Sequence, residues 1–514
     1  MLDDRHAYPG PAEDAVRIAR MRRIPGGQYP SLRDPRGKCQ LGRDAAPGCS
    51  ECMGRPRVTC GMPRNAERSA DDPNVADGQG IWQLAWPSIM LFATQALMGI
   101  VDLAFVASLG SAAVAAVGVA TQVHFFAFAL LAAVTSGTVA VVAREWGRRN
   151  ADEAGRAVRC SVALAAVFGA LLMLALPASE DMVSLLGVSS AVAVLGGECL
   201  AILLAFSVPF AIEFTLCQSL RGAGDVRTPL AIGVATVVVN AIADWALIFG
   251  RLGAPALGAV GSAWASGLAY SVGLSVLLWL WWRERLLLPS GPWRGSVTRL
   301  LAWRVLRIGI PTALEQVAFQ GGLLIFMAVV SAFGTPAISA YLIGVRILAL
   351  CFVPGFGFAM AASTLVGQNL GAERPDLAAR AGWRGVLGAV AVMGSLGFAI
   401  ISFAAPITTL FGATGPETIH LTLRFIYILG AAQPLMAMEF ALSGSLRGAG
   451  DTRFPLYTIL IGLFVVRLGA AILIALPVFG TITAVWLCLL ADYLVKAGLL
   501  TWRFASGSWK IVRV

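Results

Sequence analysis

Charge is what this sequence has least of: only 13% of its 514 residues are Asp, Glu, Lys or Arg, whereas 57% are hydrophobic. A mean hydropathy of +0.75 excludes a soluble domain, which has no way to hide that much apolar surface from water. Histidine is scarce as well. Three residues are too few for a ligand cluster, and no nucleophile constellation stands in for it, so no enzyme activity and no cofactor are expected. The nine cysteines give no disulfide framework, because Cys160, Cys199, Cys217, Cys351 and Cys488 lie in or beside apolar runs, where cysteine behaves as a small hydrophobe. The other four, Cys39, Cys49, Cys52 and Cys60, fall in a polar leader, and their single CxxC pair is a weak zinc hint. That leader, residues 1–80, is rich in Arg, Pro and Gly, has no apolar core of the kind a secretory signal needs, and is expected to be disordered.

Apolar stretches of about twenty residues, each long enough to cross a hydrocarbon core of roughly 30 Å as a helix, recur from Ile81 onward. They predict an all-α polytopic membrane protein of twelve transmembrane helices. The fourth is expected over 192–217 as one helix and the eighth over 337–367 with a bend at Pro354, Gly355 and Gly357. The formal net charge of +10 would suggest a nucleic-acid partner in a soluble protein. Here the arginines, among them Arg144, Arg148, Arg149, Arg156, Arg159, Arg283, Arg285, Arg304 and Arg307, fall in alternate short loops. The opposite loops hold almost only Arg251, which by the positive-inside bias places both termini in the cytoplasm of an inner-membrane protein.

The chain is duplicated. SLRGAGDVRTPL begins at Ser219 and SLRGAGDTRFPL at Ser445, 226 positions on, and Pro87 with Pro311, Gly110 with Gly334, Gly147 with Gly371 and Arg156 with Arg380 are each 224 apart. Two pseudo-symmetric six-helix lobes follow, residues 81–290 and 291–514. Both begin on one side of the membrane and contain an even number of helices, so they are parallel repeats around a central space. The glycines of the LRGAGD loops permit tight turns. Arg221 and Arg447 close each motif, with Asp225 and Asp451 placed either to pair with them or to cap the next helix.

An ionisable side chain inside a bilayer is costly, and by default marks function. Asp102 lies about 12 Å from the turn at Gly110, while Asn240 and Asp244 lie roughly 15 and 9 Å from Gly250, at 1.5 Å per residue. The i, i+4 spacing puts the last two on one helix face, and Ser266 returns to the same depth in the sixth helix. The second lobe has Phe326, Val466 and Ala470 at the equivalent positions, so a site confined to the first lobe is expected. Two adjacent carboxylates away from water cannot comfortably both ionise and can hold a proton; with the amide and hydroxyl oxygens they can instead hold sodium. Pro87, earlier in the first helix, favours a kink. Glu213 and Glu439 stand at equivalent positions, close enough to the LRGAGD end to snorkel or to pair with loop arginines, and are cavity or gate candidates. Glu315 and Gln316, just after Pro311, are cavity or gate candidates, with Arg467 as the counter-charge to look for. Asp492 and Lys496, at i, i+4, are expected to pair.

The doubled SLRGAGD(V/T)R(T/F)PL loops, the first-helix run QALMGIVDLAFVASLG and NAIAD in the fifth helix resemble the multidrug and toxic compound extrusion (MATE) family. The resemblance covers residues 81 to 510. PTALEQ in the seventh helix is more similar to the DinF branch than to the NorM branch, whose second-lobe glutamate falls at Phe319 here. The resemblance implies antiport of small amphipathic, often cationic compounds against protons or sodium. It assigns the cation site to Asp102, Asn240, Asp244 and Ser266, the last after a loop a few residues longer than usual, and the kinked proline to Pro87. Small-molecule substrates and membrane lipids are the expected partners, with no nucleic acid, and a monomer is the expected working unit. A lipid-linked oligosaccharide flippase shares the architecture but wants a cationic cavity, and a membrane channel wants continuous polar rings.

Overall fold

A computed structural model describes residues 79–412 and 415–512. The leader with its four cysteines lies outside the described residues. Among those described there is no strand, and eleven helices are long and apolar enough to cross a membrane, or twelve when one bent pair is counted as a single span. In chain order these are α1 Gln79–Ala107, α2 Ser111–Gly147, α3 Ala151–Met173, α4 Ser190–Ala205 with Ser207–Gly222, α5 Arg227–Phe249, α6 Ala259–Trp282, α7 Arg299–Ser331, α8 Thr335–Gly371, α9 Pro375–Ser402, α10 Pro416–Gly448, α11 Arg453–Phe479 and α12 Ile482–Ala505. The chain is an integral membrane protein, because only helices that satisfy their own backbone hydrogen bonds can span lipid on this scale.

Local chemistry explains where these helices start, stop and bend. The Asp225 carboxylate accepts from the backbone N–H groups of Arg227 and Thr228, at 3.2 and 3.0 Å, and so caps α5 rather than pairing with Arg221. Gly250 ends α5 in the left-handed conformation at φ 68°, which glycine adopts without strain. The expected single fourth helix is instead broken by 54° between Ala205 and Ser207. Pro209 has no N–H to give to the Ala205 carbonyl, so the hydrogen-bond ladder lapses at that turn. In α8 the expected bend falls at residues where the helix is continuous. The helix runs unbroken through Pro354, and its glycines serve close packing: a Cβ on Gly355 would strike the Phe440 ring and one on Gly357 would strike Ile89 of α1.

The two lobes meet at the end that carries the LRGAGD loops. A Cβ on Gly147 would collide with the Gln368 carbonyl, and one on Gly371 with the Arg144 carbonyl; the two contacts are exchanged by the repeat. Gly137 lies equally close to the Val305 carbonyl and Gly309 to that of Ala133, the small-residue contact that lets membrane helices approach backbone to backbone. Hydrogen bonds reinforce this seam, from Thr364 to the Arg221 carbonyl at 3.0 Å and from the Gln368 amide to the Gly222 carbonyl at 3.1 Å. Arg304 of α7 adds an ion pair to Glu145 of α2 at 2.7 Å.

The seam is built by exchange. Ile81 and Ala85 at the start of α1 are buried in the apolar core of the second lobe, whereas Leu301, Val305 and Ile308 at the start of α7 are buried in a core of the first. Each of these two helices therefore begins in one lobe and ends in the other. Pro87 and Pro311 lie close after the exchanged segments.

Candidate functional site

Three helices of the first lobe build the site: α1 brings Asp102, α5 brings Asn240 and Asp244, and α6 brings Ser266. The Asp102 carboxyl lies beside that of Asp244 and near the Asn240 and Ser266 side chains. Asn240 donates to the Ser266 hydroxyl at 3.4 Å. Asn240 and Asp244 are both 0% exposed. Four buried oxygens here have no hydrogen-bond partner, namely one of Asp102, the amide oxygen of Asn240 and both of Asp244. Buried acceptors are ordinarily satisfied, and two neighbouring carboxylates away from water repel unless a positive charge lies between them. The donor set is oxygen alone, which suits a proton or a hard monovalent cation.

The structure thus brings together the four residues that depth counting placed at one level. It adds Thr236, buried on the same face of α5 one turn before Asn240, and Tyr270, one turn after Ser266 in α6. Their i, i+4 spacing to Asn240 and Ser266 is the signal in the sequence that marks them. Pro87 lies within the continuous helix α1, between the segment packed in the second lobe and the segment that carries Asp102.

The second lobe is organised differently. Arg467 does not meet Glu315, as expected of a counter-charge; it pairs with Asp492 at 2.5 Å, its guanidinium 5.7 Å from the centre of the Phe326 ring. Phe326 is the residue that replaces Asp102. Lys496 bridges Asp492 at 3.4 Å and Glu439 at 3.1 Å, so Glu439 is neutralised inside the lobe and not by a loop arginine. Glu213 is not met by a loop arginine either: it accepts from Thr236 at 3.3 Å. Glu315 takes the loop arginine instead, pairing with Arg447 at 2.6 Å, while Gln316 beside it is half-buried. The repeat places Leu91 opposite Glu315, and Arg221, 1% exposed, rests over the Phe92 ring at 5.5 Å. Asp451 pairs with Arg503 at 2.8 Å, unlike its capping counterpart Asp225.

Comparison with known proteins gives a consistent picture. The family described as MatE matches residues 87–246 and 311–473, one segment in each lobe. A probable multidrug resistance protein NorM of Thermotoga maritima is 28% identical over 432 residues, 83% of this chain and 92% of that protein. Another of the same name, from Bradyrhizobium diazoefficiens, is 28% identical over 444 residues, 84% of this chain and 93% of that protein. Among solved structures, an outward-facing multidrug resistance MATE family transporter of the MOP superfamily superposes with a TM-score of 0.80 at 21% identity, covering 87% of this chain and 99% of that one. The fold is that of MATE transporters.

Proposed function

This chain belongs to the MatE family, and from that premise we propose that it is a secondary active efflux transporter, exchanging small amphipathic or cationic compounds for protons or sodium by alternating access. The observation that carries the reading is the oxygen-lined cluster of Asp102, Asn240, Asp244 and Ser266, whose buried acceptors lack partners. The names of the NorM relatives, which call them probable multidrug resistance proteins, support the substrate class. The seam at the LRGAGD end supports an outward-facing arrangement, with that end in the cytoplasm of an inner-membrane protein. Arginine crowding in the loops there supports cytoplasmic termini. PTALEQ at residues 311–316, with Phe319 following, supports the DinF-like branch.

The exchanged helices supply a route from ion to lobe movement. Occupancy of the cluster acts on the outer half of α1, while the inner half of that helix is fixed in the second lobe, and Pro87 joins the two. A proline frees a backbone carbonyl and lowers the cost of bending, so a cation at Asp102 favours one angle of α1 and hence one opening of the central space. The test is efflux of a substrate from proteoliposomes under an imposed proton or sodium gradient, for wild type and Asp102→Asn. Gradient-driven efflux should fall to the background level in the variant; unchanged coupling would remove the mechanism.

A further inference from the structure

Glu213 and Glu439 occupy equivalent positions in the two repeats, yet their surroundings differ in charge. Glu439 faces a tethered cation, the Lys496 ammonium at 3.1 Å. Together with Asp492 and Arg467 this makes a closed set of two acids and two bases. Glu213 is 7% exposed and has the Thr236 hydroxyl for a partner. Of the titratable groups near it, Cys217 and, a further turn on, Arg221 share its helix, Tyr270 lies on α6, and His124 of α2 packs its ring on Phe210 one turn away. Arg221 rests over the Phe92 ring, and among the described residues Glu213 has no ion-pair partner. On α6 it faces Gly273, where an added Cβ would press on its carboxylate, so that position offers Glu213 no side chain.

The same face of α5 connects Glu213 to the cluster described above. Thr236, Asn240 and Asp244 are 5%, 0% and 0% exposed and follow one another at i, i+4 and i+8, so successive members are about 6 Å apart along the helix. Asp244 points into this track with both carboxylate oxygens buried and unpartnered. Thr236, the member nearest the LRGAGD end, is the one that touches Glu213.

We propose that Glu213 is a second cation station of the first lobe, taking the coupling proton or sodium ion between the Asp102–Asp244 cluster and the LRGAGD end. The second lobe shows what a carboxylate at this position requires: a positive charge within about 3 Å, which its own lysine supplies. In the first lobe the charge is supplied by the exchanged ion. A proton converts the carboxylate to the acid, and a sodium ion binds the carboxylate, the Thr236 hydroxyl and water; no bond to the protein breaks in either case. The proposal rests on the ion-coupling reading of the Asp102 cluster.

The test uses the full chain in proteoliposomes with ethidium as a fluorescent amphipathic cation, and reads two rates: gradient-driven efflux and dye-for-dye exchange without a gradient. Glu213→Gln should slow driven efflux about tenfold, within the usual range of a coupling free energy, and leave exchange within about twofold. Glu213→Asp should recover part of the loss. A packing role would slow both rates alike, and that result, or driven efflux at the wild-type rate while Asp102→Asn is inactive, overturns the proposal. Driven efflux at the wild-type rate in Asp102→Asn shows instead that the coupling reading has failed, and the proposal falls with it. Should Glu213→Gln not fold, Thr236→Val removes the hydroxyl that touches the carboxylate without changing charge, and the same split between the two rates is expected.

Discussion

In the first lobe Asp244 and Glu213 are buried and Asp102 is half-buried, with no lysine or arginine paired to them among the described residues, whereas in the second lobe buried Asp492 and half-buried Glu439 face Arg467 and Lys496. The two lobes share helix order, turn glycines and the doubled LRGAGD loops, so the scaffold does not explain the difference. The charges do. A buried acid with a tethered base is complete and rigid, while a buried acid without one must borrow its counter-charge. Duplication has thus left one lobe whose buried acids have bases within the chain and another whose buried acids do not.

The sharpest way to test that contrast is to remove the tethered base. Arg467→Ala leaves Asp492 with Lys496 alone in a site 0% exposed at the carboxylate. It should lower stability by about 3–5 kcal/mol, whereas Arg467→Met with Asp492→Leu, which removes both charges, should be close to neutral. Thermal unfolding in detergent measures both; an Arg467→Ala protein as stable as wild type would show that the second lobe does not need its internal cation. A smaller effect is expected at the seam. Gly147→Ala drives a methyl group into the Gln368 carbonyl and should weaken closure of the LRGAGD end by about 1–3 kcal/mol. Labelling of a cysteine placed at Thr364 by a water-soluble maleimide should then be faster, and the equivalent Gly371→Ala should match it if the lobes meet symmetrically. The smallest contrast lies in the loops themselves. Asp225→Asn should be neutral within a few tenths of a kcal/mol, since asparagine caps as well as aspartate. Asp451→Asn, which loses the Arg503 partner, should cost up to about 1 kcal/mol. Equal losses in paired denaturation curves would erase the distinction between the two loops.

Much of this was readable in the residues, for reasons that differ from case to case. The rise of a helix is fixed, so counting from the turn glycines Gly110 and Gly250 was enough to bring Asp102, Asn240 and Asp244 to one level, and the i, i+4 rule kept the last two on one face. The break in α4 was also written in the chain. Pro209 stands four residues after Ala205, but it reads equally as a landmark of the repeat, and its counterpart Pro434 lies in an unbroken helix. Arg467 illustrates what counting along one helix cannot give. Its helix runs as a π-helix over Leu460–Gly469 and again over Ala471–Phe479. The i→i+5 pattern shifts side chains from the directions that an α-helical register predicts, and Arg467 meets Asp492. Glu213 and Glu439 show the same limit: their positions in the sequence are equivalent, and only the neighbouring helices decide which of them has a base.

The most direct measurement is cation uptake by the purified protein, followed calorimetrically with sodium under alkaline conditions and by proton uptake without sodium. Wild type should bind, Asp102→Asn with Asp244→Asn should not, and Arg467→Met with Asp492→Leu should bind as wild type does. Undiminished uptake after loss of both first-lobe aspartates, or its disappearance when only the second-lobe pair is removed, would contradict the account.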